Sequence, residues 1–161
     1  MESSSLNPYD VVEEGELMYS FTTVHGIEYR VYFLDYSAYL PGFGDVYSFN
    51  IEPENEIPHP IDSRIAQTVV HILRQFFSNH ENSMIMVCDN SDGKELKREK
   101  LFSRWFAFYN DGTIRKFDAS SGNEYYTLYV SLFVHEHNPH IRELVAAFYE
   151  LVKRNMYPLD S

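Results

Sequence analysis

Cysteine occurs once in the 161 residues, so the chain can close no disulfide on itself. Cys88 lies in the apolar run 84–88, where burial is expected, and a reducing compartment suits it. No apolar stretch approaches the roughly 20 residues that span a bilayer. The first five residues have neither the basic nor the apolar region of a secretory leader. The expectation is a cytoplasmic protein with no membrane partner. Positive charge is scarce too, since 13 Lys and Arg stand against 24 Asp and Glu, a net −11. That field repels polyanions and anionic membranes at long range and disfavours nucleic acid as a partner. Internal repeats, low-complexity blocks, phosphate-cradling glycine loops, dinucleotide fingerprints and zinc-ribbon spacings are all lacking.

Aromatic residues are abundant. The 13 Tyr, 12 Phe and 1 Trp fall in alternating or helical patterns, as packing material does, in a chain of single-domain length. Residues 1–6 read as a frayed tail. Segments 9–12 and 17–23 flank the turn-like Glu13-Glu14-Gly15-Glu16, and Ile27, Tyr29, Val31 and Phe33 then alternate with a mixed second face. Tyr47, Phe49 and Ile51 repeat the alternation after the loop Pro41-Gly42-Phe43-Gly44, which makes an N-terminal meander of short strands. Residues 53–60, with three of the seven prolines, cross from sheet to helix.

Asp62 is placed to cap a helix over 62–79, whose Ile65, Val69, Ile72, Leu73, Phe76 and Phe77 follow the 3.6-residue period. The run 84–88 is too short for a helix and reads as a central strand buried on both faces. A second helix is expected over 93–109, then strands over 114–117 and 125–135, then a helix over 139–154 with Asn138 as N-cap and Pro139 at its first position. The fold class is therefore α+β, a largely antiparallel sheet with three helices. Trp105, Phe102, Phe76, Leu73, Val130, Leu132, Val145 and Phe148 should form its core, and Tyr125, Tyr129 and Phe133 should face outward.

Candidate chemistry concentrates where the run 84–88 leads through Asp89, Ser91 and Asp92 into a basic helix. Residues 94–104 hold a local surplus of three positive charges. Asp92 suits an N-cap, with Glu95 completing a capping box. Arg98 shares the apolar stripe of Phe102, Trp105 and Tyr109, and Lys94 lies one turn earlier, so both cations occupy turns where the helix dipole disfavours them. Asp89 and Asp92 are the nearest counter-charges. They could tie strand to helix as a carboxylate–guanidinium pair, or join Arg98 in holding a phosphate or a divalent ion. Lys94 and Arg98 are thus the candidate ligand-binding residues.

His135, His137 and His140 could approach one metal, although Asn138-Pro139 already accounts for that turn as a helix start. Cys88 belongs to the strand core and Ser91 has no histidine beside it in sequence, so neither makes a convincing nucleophile.

Two resemblances follow from these residues. The pieces Asn7-Pro8-Tyr9, Gly26-Ile27-Glu28-Tyr29, Asp62-Ser63-Arg64-Ile65, Cys88-Asp89-Asn90-Ser91-Asp92-Gly93 and Leu101-Phe102-Ser103-Arg104-Trp105-Phe106 resemble a family of small uncharacterised bacterial proteins, a domain of unknown function. That resemblance implies a bacterial cytoplasmic domain and assigns no activity.

Residues 84–154, read as β-α-β-β-α, are similar to the ferredoxin-like fold of the CRISPR-associated adaptor and virulence-associated ribonuclease families. Those families imply an aspartate at the end of the first strand, here Asp89 and next to it Asp92, that binds Mg or Mn. The N-terminal meander and the −11 charge depart from their pattern. The leading expectation is a noncatalytic binding or interaction domain without a cofactor, whose partner is another protein or a second copy of itself. The alternative is a metal-dependent ribonuclease using Asp89.

Overall fold

The computed structural model describes residues 6–54, 62–89, 94–122 and 127–154, and within them every side chain except those of Asp89 and residues 94–99. The strands are β1 (Val12–Gly15), β2 (Met18–Thr22), β3 (Glu28–Asp35), β4 (Asp45–Pro53), β5 (Asn82–Asp89), β6 (Ile114–Gly122) and β7 (Thr127–His135). The helices are α1 (Ser63–Phe76), α2 (Lys94–Tyr109) and α3 (Ile141–Lys153). The strands form one sheet in the order β1-β2-β3-β4-β5-β7-β6.

An N-terminal meander forms as expected, β1 to β4 pairing antiparallel in sequence, but its first strand runs through Glu13, Glu14 and Gly15, which read as a turn in the sequence. β4 then pairs parallel with β5, because α1 carries the chain back across the sheet. β7 lies antiparallel between β5 and β6, so β5-α2-β6 is a split β-α-β unit.

The two faces of the sheet bury different helices. Tyr29, Val31, Phe33, Phe49, Met84 and Phe133 lie beneath α1 and α2. On the other face Val46, Ile85, Val130, Leu132 and Val134 meet Leu144, Phe148 and Val152 of α3. Period-2 alternation places Met84 and Ile85, neighbours in sequence, in opposite cores, and both are fully buried. The helices therefore flank the sheet, α1 and α2 on one face and α3 on the other. No helix among the described residues is long and apolar enough to cross a membrane.

Asp62 caps α1 as its sequence position implies, its Oδ1 accepting from the Arg64 N–H at 2.9 Å. Its Oδ2 accepts from the Tyr9 hydroxyl. That contact explains why residues 9–12 do not form the expected first strand. Residues 7–9 leave the sheet to run along α1, the Asn7 N–H donating to Gln67 and the Tyr9 N–H to Thr68. The Tyr9 ring stacks on Phe21 beneath the Arg64 guanidinium.

Asn138 is not the N-cap of α3. Its Oδ1 accepts from the His140 N–H at 2.8 Å, a capping-type bond two residues ahead of the cap position, and its Nδ2 donates to Ser83 of β5 at 3.2 Å. His140 takes the cap position without a side-chain bond. The amide thus keeps its local turn bond through Oδ1 and adds a bond to β5 through Nδ2.

Phe133 does not face outward: it is fully buried, with Phe102 and Phe106 of α2 edge-on to its ring. Tyr129 is exposed as expected, and Tyr125 lies outside the described residues. Of the expected core, Phe102, Phe76, Val130, Leu132 and Phe148 are buried, whereas Trp105, Leu73 and Val145 are half-buried.

Candidate functional site

Trp105 and Leu73 are half-buried because they line a cleft. α1 settles on the meander through Phe76, whose ring stacks on Phe33 at 4.3 Å. α2 settles on the next strands through Phe102 and Phe106, whose centroids stand 5.6 and 5.2 Å from Phe133. Phe102 also reaches Phe49 of β4 at 5.3 Å, and the gap left between the two helices is a cleft of about 280 Å3. Val69, Leu73 and Phe77 wall one side, Phe102, Trp105 and Phe106 the other, with Met84 and Phe133 as the floor.

One end of the cleft is polar. The C-termini of α1 and α2 meet there, bringing His80 and Arg74 to Asn110 and Asp111, beside His135 at the end of β7. His135 is only 8% exposed. Its Nδ1 accepts from the His137 N–H at 3.0 Å, so in the neutral ring the proton sits on Nε2. The His80 ring stacks on it at 3.7 Å and 12°, with His137 5.5 Å away. Burial, followed by the charge of His80 and His137, holds His135 below the ordinary histidine range against the weaker pull of Glu136 and Asp111. His135 is thus a neutral donor at neutral pH.

Asp111 stays ionised. Hydrogen bonds from the Thr113 hydroxyl and N–H, at 2.8 and 3.1 Å, hold its carboxyl below the usual carboxylate range, with Arg74 adding a smaller pull. Asn110 shapes the corner, accepting from the Gly112 N–H and donating to the Ile114 carbonyl.

Sequence reasoning named His135 and His137 but joined them to His140. Instead His140 turns toward Glu81 and Phe43, with Nε2 3.9 Å from the Glu81 carboxylate, and His80 completes the histidine group. Among the described residues no group of three His, Cys, Asp or Glu is arranged to hold a metal ion. His80, Arg74 and Asp111 had no signal in the sequence, since each follows or ends a helix in an ordinary way and only the packing of α1 beside α2 unites them.

The residues singled out from the sequence lie toward the other end of α2. Asp89 closes β5 opposite Leu128, Lys94 opens α2 and Arg98 follows one turn later. Asp92 and Ser91 lie outside the described residues, and Cys88 is buried.

The model described as Family of unknown function (DUF6169) matches residues 61–150, which takes in α1, β5, α2, β6, β7 and most of α3, and with them every wall of the cleft. No curated protein and no solved structure matches the chain.

Proposed function

We propose that this chain, which belongs to the DUF6169 family of unknown function, is a noncatalytic binding domain of bacterial, cytoplasmic type whose site is the cleft between α1 and α2. The observation that carries the reading is the half-burial of Trp105 and Leu73. Apolar side chains over a well-packed sheet close on one another unless the helices are held apart, and an aromatic-lined concavity with a few convergent polar groups is what small-molecule sites look like.

Trp105, the sole tryptophan, reports on the cleft directly. Titration with propylbenzene should shift its emission saturably. The shift should vanish in Val70→Phe, which fills the cleft from α1, at an unchanged melting temperature. An unresponsive wild type would remove the reading.

Two further parts of the proposal rest on other surfaces. Phe108 and Leu101 lie exposed on the outer side of α2, which supports a protein partner or self-association, checked by native mass. The position of Lys94 and Arg98 in the first turns of α2, one connection after Asp89, supports their meeting an anionic group or pairing with that carboxylate.

A further inference from the structure

The polar end of the cleft decides what kind of molecule enters it, an inference that rests on reading the cleft as a binding site. His135 is nine-tenths buried, and its Nδ1 is taken by the His137 N–H. Among the described residues nothing accepts from its Nε2, although the ring lines the cleft. A buried donor without an acceptor is costly, and stacking on His80 covers a face of the ring while leaving its edge free. The cleft therefore offers an occupant one fixed donor.

The surrounding charge limits the occupant further. Both α1 and α2 end at this place, and helix C-termini carry partial negative charge. Asp111 adds a full negative charge that Arg74 offsets only weakly, on a chain of net −11. An anion would be repelled here, and a cation would set its own donors against the His135 N–H. What remains is an uncharged acceptor on an apolar body small enough for about 280 Å3, with aromatic faces at Phe106, Trp105 and Phe133 to stack or meet edge-on.

We propose that the cleft binds a small, uncharged aromatic molecule carrying a carbonyl-type acceptor, its ring among Trp105, Phe106 and Phe133 and its oxygen on the His135 Nε2–H. His135 is then the residue that sets ligand class, while the aromatic walls supply most of the affinity.

The test follows Trp105 emission with three probes of one shape: 3-phenylpropanamide, 3-phenylpropanoate and propylbenzene. The amide should bind saturably and more tightly than the carboxylate. His135→Phe should weaken the amide roughly three- to tenfold, the worth of one neutral hydrogen bond, and leave propylbenzene unchanged.

Equal losses for amide and hydrocarbon in His135→Phe, or tighter binding of the carboxylate, would overturn the inference while the cleft remained a binding site. Silence from all three probes would overturn both. Should His135→Phe fail to fold, the imidazole N–H proton resonance of wild-type His135 decides. It should move with the amide and not with propylbenzene, and a resonance that ignores the amide rejects the proposal.

Discussion

Trp105 shows how exposure sets the worth of a side chain. A fully buried tryptophan truncated to alanine costs about 3–5 kcal/mol through transfer and cavity terms. The half-buried indole already faces the cleft, so its removal enlarges an opening and leaves no sealed void. Trp105→Ala should cost about 1–2 kcal/mol by denaturant midpoint, and a loss of twice that would place the indole in the closed core. His135 makes the matching argument for charge. Burial holds it below the ordinary histidine value near 6.5, so the unfolded chain takes up this proton at a higher pH than the folded one. The stability this contributes is whole above about pH 6.5 and is lost as the pH falls through that value toward the folded one. The melting temperature of the wild type should therefore fall on mild acidification more steeply than that of His135→Phe, and parallel curves would show that the imidazole is not buried neutral.

Among the elements, α1 and α3 differ at their first residues for reasons beyond their own sequence. Asp62 makes a local cap and a long-range bond at once, to the Arg64 N–H and to the Tyr9 hydroxyl. Asp62→Ala should cost about 1–2 kcal/mol, at the upper end for a lost cap, because Tyr9 loses its acceptor as well. Tyr9→Phe should cost less on the Asp62→Ala background than in the wild type, since only the bond from the Val24 N–H is then left to lose, and a full additive loss in the double variant would separate the two bonds. α3 begins at Ile141, two residues later than its Asn-Pro signal suggests, and Asn138 ties the turn before it to Ser83 on β5. α2 carries apolar residues around its circumference, Phe102 and Phe106 inward and Phe108 79% exposed, so its periodicity announces a helix without naming a single buried face.

At the scale of the molecule the sheet carries two cores, and its central strands serve both. Phe133 and Leu132 sit side by side in β7 but face α2 and α3 respectively. Phe133→Ala should cost about 3–5 kcal/mol and Leu132→Ala about 2–5 kcal/mol. Each should shift one cooperative unfolding transition, since neither layer can keep its floor when β7 leaves; two transitions in either variant would show the layers to be independent. Gly44, in the loop before β4, lies close against the loop before β5, where its φ is +79° and an added Cβ would stand 2.9 Å from the Glu81 carbonyl. What the sequence by itself determined is the set of elements and their class: the alternations of β3, β4 and β7, the buried run of β5, the period of α1 and the Asp62 cap are local patterns, and local patterns survive in one dimension. Only the tertiary structure decided that α2 covers Phe133, that Asn138 answers to Ser83, and that His80 and Asp111 meet His135 at the mouth of a cleft. Those contacts join residues far apart in the chain, and they exist only once the helices are laid on the sheet, so no local pattern announces them.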